Sequence, residues 1–179
     1  LIRRAHAELL EEGESVIMPP VGVMIEVPSA VYQIDALAQR VAFFSVGTND
    51  LTQYLLAVDR NNTRVAELYQ TLHPSVIRAL AQIVDGAHRH GKPVGVCGEL
   101  AGDPAATLIL LGLGVDSLSM SVGSLPRVKW VIRSFSKSRA RQLVQVALRM
   151  EDARQVRRFM EGVLAEMGLG GLVGPTGTM

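Results

Sequence analysis

Cysteine is nearly absent from this chain, and aromatic side chains are scarce. Its single cysteine, Cys97, excludes a disulfide framework within the chain and fits a reducing compartment, so we predict a cytoplasmic protein. No apolar run approaches the roughly 20 residues that a membrane-spanning helix needs, and the sequence does not open with a signal-peptide pattern. These absences argue against disulfide-rich secreted proteins and against membrane proteins.

The composition is that of an aliphatic, turn-rich globular protein. Hydrophobic residues make up 48% of the 179 residues and aromatic residues 4%, with 17 glycines and 8 prolines. This balance is typical of α/β proteins, and the length suffices for one core or for part of a larger domain. The first residues, "LIRRAHAELLEEGE", lack an initiator methionine and resemble the body of a helix that ends at Gly13. We therefore expect the chain to be part of a longer protein.

The net charge of +1 is unevenly distributed. Residues 1–126 contain 8 basic and 13 acidic side chains, whereas residues 127–179 contain 10 and 4. The basic residues of the second part alternate with apolar ones in the manner of amphipathic helices, whose charged face is solvated. We therefore predict no nucleic-acid partner and no membrane partner.

Strand-like and helix-like segments alternate along the chain. Four short apolar runs are typical of β-strands: 21–27, 41–47, 92–98 and 116–122. Helical spacing is found at 29–40, 74–91 and 103–112, the last with Asp103 as N-cap and Pro104 in the first turn. This alternation predicts parallel βαβ units. Four such units correspond to the C-terminal half of a TIM (β/α)8 barrel.

The pattern after residue 126 is helical. Helices are predicted at about 126–135, 138–150 and 151–167. We therefore divide the chain into a partial barrel at 1–135, C-terminal helices of the same domain at 136–168 and a flexible tail at 169–179.

Unusual polar residues follow the predicted strands. Glu26 ends the first, Asn49 and Asp50 follow the second, and Cys97 lies at the end of the third. The carboxyl ends of parallel strands open onto one face, where α/β enzymes place their chemistry. Glu26 and Asp50 together match the oxygen ligands of Mg²⁺. Alternatively, Asp50 is only the N-cap of the next helix.

Arg60 and Cys97 each have two interpretations. Arg60 forms a surface ion pair, for example with Asp59, or holds a phosphate or carboxylate. Cys97 is a small buried hydrophobe or a functional thiol, and an ordinary thiol is protonated at neutral pH and can donate a proton. None of the histidines has the setting of a phosphoryl acceptor. Spacing alone therefore predicts a Mg²⁺-dependent site for a phosphorylated ligand in a barrel-like α/β fold.

Several longer stretches resemble a known family. "GVMIEVPSA", "FFSVGTNDLTQYLLAVDR", "HPSV" and "GVCGELAGDP" are similar to the phosphoenolpyruvate-binding barrel shared by enzyme I of the phosphotransferase system, pyruvate phosphate dikinase and phosphoenolpyruvate synthase. The resemblance spans about residues 15 to 135. "TQYLLAVDR" and "CGELAGDP" are similar to enzyme I in particular, and "LYQTLHPSVIRAL" and "GLVGPTG" resemble its nitrogen-branch form.

The resemblance implies a role for each candidate residue. Glu26 and Asp50 would bind Mg²⁺, Asn49 the phosphate of phosphoenolpyruvate, and the backbone of the Asn49-Asp50 turn its carboxylate. Arg60 would neutralise the anionic charge of the substrate, and Cys97 would protonate C3 of the enolpyruvate. The implied activity is that of a phosphoenolpyruvate-protein phosphotransferase.

The resemblance also implies partners. The phosphorylated histidine of the family lies in a separate domain and passes its phosphoryl group to a phosphocarrier protein, and two further phosphate-binding arginines belong to the first half of the barrel. We therefore expect this chain alone to be inactive and to form homodimers as part of the longer protein. Alternatives are a dikinase or synthase fragment, a non-catalytic sensing or dimerisation module, and a half-barrel that completes itself with a second copy.

Overall fold

The fold is α/β, with one parallel sheet of four strands in the part of the chain that the structure describes. A computed structural model describes residues 1–173. The strands are β1 Val23–Ile25, β2 Phe44–Gly47, β3 Val94–Cys97 and β4 Ser117–Ser119. Helix α1, Ile2–Glu11, precedes the sheet. The helices that connect the strands are α2 Pro28–Val31, α3 Ile34–Ala38, α4 Thr48–Leu56, α5 Pro74–Arg89 and α6 Pro104–Leu113. Three helices follow the sheet: α7 Leu125–Ser134, α8 Lys137–Ala147 and α9 Ala153–Glu166.

The strands lie side by side in chain order, β1-β2-β3-β4, and every pair is parallel. In this order each helical connection crosses to the neighbouring strand. All four predicted strands are present but are shorter than predicted, because flanking residues such as Val27, which precedes Pro28, belong to turns that begin the next helix. The predicted α/β class and parallel pairing are confirmed.

The two faces of the sheet differ in their side chains. One face carries Ile25, Val46 and Val96, all buried in the core together with apolar residues of the helices. The opposite face carries the register row Met24, Ser45, Gly95 and Ser117. Met24 is 47% exposed and Ser117 is exposed, so this second face is open to solvent.

Local sequence signals determine where the helices begin. Pro74 starts α5 as predicted, and Asp103 caps α6 by accepting a hydrogen bond from the Ala105 N–H at 2.9 Å. The predicted helix at 29–40 is instead two short helices separated by Tyr32 and Gln33. Val31 and Tyr32, a β-branched and an aromatic residue, are weak helix formers, and packing of Val31 and Ile34 into the core prevails over a continuous helix.

The C-terminal helices pack against α6 at close range. A Cβ added at Gly112 would lie 2.3 Å from the Ala140 carbonyl oxygen, so only glycine permits this approach of α8. Residues 169–173, where we predict the start of a flexible tail, place Leu169 in the core, and the remainder of that tail, 174–179, lies outside the described residues. Within residues 1–173, no helix has both the length and the apolar character needed to cross a membrane.

Candidate functional site

The predicted site residues follow the carboxyl ends of β1, β2 and β3. Gly47 and Cys97 are in register at these ends, and Cys97 pairs in turn with Ser119 of β4. Glu26 follows β1, and its Oε2 lies 3.1 Å from where a Cβ on Gly47 would be. Residues from three different strands therefore meet at one edge of the sheet.

Asn49 connects the turn after β2 to the turn after β3. Its Oδ1 accepts a hydrogen bond from the Glu99 N–H at 3.1 Å, and the neighbouring Thr48 hydroxyl donates to the Cys97 carbonyl at 2.7 Å. Because Oδ1 is engaged, the Asn49 NH₂ group is oriented as a donor. Thr48 is buried, so the bond to Cys97 also satisfies a polar group inside the fold.

Asp50 lies inside the first turn of α4 and does not cap it. The N-cap position is Gly47, and no side chain caps this helix, so the N-cap interpretation of Asp50 is wrong. Asp50 Oδ1 instead lies 3.5 Å from Arg60 Nη2. The suggested pair of Arg60 with Asp59 is also wrong, since Asp59 Oδ1 accepts from the Asn61 N–H at 2.9 Å in a local turn. Asp59 is thus occupied by the turn, and Arg60 reaches across to Asp50.

A sharp turn after α4 brings Arg60 back beside Asp50. Ala57 ends the helix in the left-handed conformation, with φ 52°, and the Arg60 N–H then donates to Gln53 Oε1 at 3.2 Å. Arg60 Nη1 is buried and has no hydrogen-bond partner among the described residues. A buried cationic N–H group without an acceptor is costly, so this group is suited to an anion bound at the site.

Cys97 is only partly buried and faces a cavity. Its S–H donates to the Val46 carbonyl at 3.4 Å, and its Sγ lies 3.9 Å from Ser45 Oγ. Cys97 and Asn49 line the same cavity of about 980 Å³. A thiol in this position is more accessible than a core hydrophobe and carries its proton as a donor.

The carboxylates fit a metal that takes few protein ligands. Within residues 1–173 there is no group of three or more His, Cys, Asp or Glu side chains that could hold a metal ion. Mg²⁺ commonly uses one or two carboxylates and completes its octahedron with water and substrate oxygens. Glu26 has no ion-pair partner in this part of the chain, although it is half-buried. Glu26 and Asp50 therefore match the donor set of Mg²⁺ and do not match a closed transition-metal site.

Three further residues at the site are not among the candidate site residues predicted from the sequence. Gly98 has φ +106° and lies against Thr48 and Asn49, and Tyr69 donates its hydroxyl proton to the Asn49 carbonyl at 3.1 Å. Arg157, on α9, lines the cavity. Its guanidinium binds Asp103 at 2.7 Å and lies 3.5 Å from Glu161. Tyr69 is 20 residues from Asn49 and Arg157 is 54 residues from Asp103, so no local pattern indicates these two pairs.

The histidines make structural contacts. His88 Nε2 lies 2.8 Å from Asp116 Oδ2, which also accepts from the Val94 N–H at the opposite, amino-terminal edge of the sheet. His90 contacts Asp35, and His73 caps α5 through its Nδ1. That no histidine of this chain accepts a phosphoryl group remains a prediction.

The comparison with protein families assigns the chain to a class. Residues 1–137 match the family described as "PEP-utilising enzyme, PEP-binding domain". The chain belongs to this family of phosphoenolpyruvate-utilising enzymes, which confirms the resemblance found in the sequence.

Three individual proteins are similar to this chain over most of its length. The chain is 48% identical over 174 residues to the Escherichia coli K12 protein named "Phosphoenolpyruvate-dependent phosphotransferase system", covering 97% of this chain and 23% of the relative. It is 47% identical over 172 residues to the "Phosphoenolpyruvate-protein phosphotransferase" of Haemophilus influenzae, covering 94% of this chain and 30% of the relative. A Geobacillus stearothermophilus protein of the same name is 42% identical over 167 residues, covering 89% and 29%. The chain spans less than a third of the length of these relatives, and its likeness to the nitrogen-branch form remains a prediction.

Proposed function

We propose that this chain is the part of a phosphoenolpyruvate-protein phosphotransferase that binds phosphoenolpyruvate and Mg²⁺. The observation that carries this proposal is the clustering at one sheet edge: Asn49 and Cys97 line one cavity, and Asp50 next to Asn49 pairs with Arg60. Membership of the phosphoenolpyruvate-utilising family and the names of the relatives support it.

Each candidate residue has a binding role that follows from its position. The oriented NH₂ group of Asn49 donates to the phosphate, and Arg60 contributes its partnerless Nη1 to the same anion. Glu26 and Asp50 would hold Mg²⁺. When bound, the metal would supply charge neutralisation for the phosphate and for the enolate. Phosphoryl transfer depends mainly on positioning and charge stabilisation, and these side chains supply both.

Cys97 completes the reaction by general acid catalysis. The bond between the enol oxygen and phosphorus breaks as the phosphoryl group passes to an acceptor histidine, and the enolate of pyruvate remains. The Cys97 thiol then turns from the Val46 carbonyl and donates its proton to C3, which gives pyruvate and a thiolate. Solvent entering the cavity returns the proton to the thiolate. Such a positioned acid contributes about 10²–10⁴-fold to the rate.

The fold supports the half-barrel interpretation. Inward-facing residues of a closed barrel would come from the open face of this sheet, where Met24 and Ser117 are exposed. We propose that the remainder of a longer cytoplasmic, homodimeric protein closes this barrel. It would also supply the acceptor histidine, which passes the phosphoryl group to a phosphocarrier protein.

Calorimetric titration of the 179-residue chain with phosphoenolpyruvate tests the proposal. We expect binding heat that depends on Mg²⁺ and a loss of at least about tenfold in affinity for Asp50→Asn, because both the metal ligand and the partner of Arg60 are lost. Asp59→Asn is the matched control, since Asp59 is near Arg60 in sequence but only forms a local turn. Equal binding by all three proteins, or no binding by the wild type, would refute the proposed site.

A further inference from the structure

The connection between α4 and α5 folds back over the start of α4, where Asn49 and Asp50 lie. It runs from residue 57 to residue 73 and is longer than most loops, which is typical of loops with a function. Val58 and Leu72, near its two ends, are buried and anchor it to the core. Arg60 lies near the beginning of this loop and Tyr69 near its end. The folded loop places both residues beside the start of α4, where Arg60 meets Asp50 and Tyr69 meets Asn49.

The hydroxyl of Tyr69 lies between two elements of the substrate site. It donates its proton to the Asn49 carbonyl at 3.1 Å. Burial raises the pKa of Tyr69 above its ordinary value of 10.0, and the adjacent Arg60 guanidinium opposes this increase. A phenol hydroxyl donates one hydrogen bond and can accept others through its lone pairs. The proton is committed to the Asn49 carbonyl, and the loop that holds Tyr69 also holds Arg60.

We infer that Tyr69 is a positioning residue: its bond to the Asn49 backbone carbonyl holds the loop that carries Arg60 against the start of α4. It need not touch the substrate, and it acts through Arg60 and Asn49 on the bound anion. A phenylalanine would fill the same space but would leave the Asn49 carbonyl without this donor, so the loop would be held less firmly beside α4. This inference rests on the proposed function, because it assigns Tyr69 to the same phosphoenolpyruvate site.

A double-mutant cycle separates positioning from simple support of the fold. We expect Tyr69→Phe to weaken phosphoenolpyruvate binding about 5- to 30-fold with little change in melting temperature. In an Arg60→Gln background the same substitution should change binding less than about twofold. Tyr54→Phe, an exposed tyrosine on α4, is the control and should bind as the wild type does. Equal losses in both backgrounds, or a loss that follows melting temperature, would overturn the inference.

A second measurement needs no ligand. Tyr32 and Tyr54 are exposed, so a protein with both replaced by phenylalanine retains Tyr69 as its only tyrosine. In this background Arg60→Gln should raise the pKa of Tyr69 further, as followed by the absorbance of the phenolate. An unchanged titration would refute the role of Tyr69, whereas absence of phosphoenolpyruvate heat in the wild type would refute the proposed function. The two failures are therefore distinguishable.

Discussion

Asn49 and Glu99 join the ends of two neighbouring strands through one hydrogen bond, from the Glu99 N–H to Asn49 Oδ1 at 3.1 Å. The residue before Glu99 makes this bond possible. Gly98 has φ +106°, and a Cβ at this position would lie 2.8 Å from Asn49 Oδ1 and 2.7 Å from Thr48 Oγ1. The orientation of the Asn49 side chain therefore depends on the absence of a side chain at Gly98.

Gly98→Ala should damage both stability and binding. Gly98 has φ 106° and ψ −175°, a backbone region that is almost confined to glycine, and another residue there costs about 1–3 kcal/mol. Here the new methyl group must also displace Asn49. We expect a loss of at least about 2 kcal/mol in the free energy of unfolding, measured in urea, and more than tenfold weaker phosphoenolpyruvate binding. Gly114→Ala is the matched control, because its φ is +88° but its nearest neighbour is 3.9 Å away. Normal phosphoenolpyruvate binding by Gly98→Ala would contradict the importance of the Asn49 orientation.

Replacement of Cys97 should abolish proton transfer while binding is kept. In D₂O with Mg²⁺, the site should exchange the methyl protons of pyruvate, since enolisation is the reverse of the proton donation proposed for the thiol. Cys97→Ser should slow this exchange about 10²–10⁴-fold, as followed by proton NMR. Phosphoenolpyruvate affinity should change less than about threefold.

Ser45→Ala is the control for Cys97. Ser45 Oγ lies 3.9 Å from Cys97 Sγ, so its removal perturbs the surroundings of the thiol without removing the acid. We expect exchange within about threefold of the wild-type rate. Exchange by Cys97→Ser at the wild-type rate would rule out the thiol as the acid.

Arg157→Met should lower the free energy of unfolding, because Arg157 holds together two carboxylates beside the cavity. Arg157 pairs with Asp103 and Glu161, whose side chains are only 19% and 16% exposed, and its loss leaves two nearby carboxylates without a cation. Breaking a buried pair costs about 3–5 kcal/mol, and partial exposure of Arg157 reduces our expectation to about 2 kcal/mol. Arg158→Met, an exposed neighbour on the same helix, should change urea stability by less than about 0.5 kcal/mol. Equal stabilities of the two variants would contradict this account.

Asp116 should contribute to stability in a pH-dependent manner. Partial burial raises its pKa, but hydrogen bonds from the Val94 N–H and His88 outweigh burial, so the pKa lies below the ordinary value of 3.8. A lowered carboxyl pKa stabilises the fold above the ordinary value, and this contribution is lost as pH falls through the folded pKa. We therefore expect Asp116→Asn to be less stable than the wild type, by about 1 kcal/mol at pH 6, with a difference that shrinks below about pH 4.

Asp85→Asn is the control for the pH dependence. Asp85 is an exposed carboxylate on α5, the helix that carries His88. Urea denaturation between pH 3 and pH 7 should give the same curve for this variant and the wild type. A difference between Asp116→Asn and wild type that does not vary with pH would show that the Asp116 charge is not the cause.

Local sequence patterns predicted the strands and most helices of this fold, but they did not predict the break between α2 and α3. Strand alternation, Pro74 and the Asp103 cap are visible in sequence because each acts over a few residues, and each appears in the structure. The break at Tyr32 and Gln33 was missed, because packing of the residues on either side decides it. No local pattern distinguishes one helix from two helices that bury the same face.

The candidate residues were predicted to lie together because the carboxyl ends of parallel strands meet at one edge of the sheet. Cys97 is the last residue of β3, and Glu26, Asn49 and Asp50 come shortly after β1 and β2. Their partners were not predictable in the same way. Arg60 pairs with Asp50 rather than Asp59 because the chain turns back at Ala57, which has a left-handed conformation. An alanine in the sequence does not predict that conformation. The bond from Tyr69 to Asn49 joins positions 20 residues apart through a loop whose path is irregular.

The sheet order has a consequence for how such a protein can diversify. Each strand pairs only with its neighbours in the chain, so a change in length between two strands alters one crossover and leaves every other pairing intact. The 57–73 connection lies in the crossover between β2 and β3, whose register is continuous over four residue pairs. Mutations in one crossover should therefore change the surface of that crossover alone, while the strand ends keep their spacing.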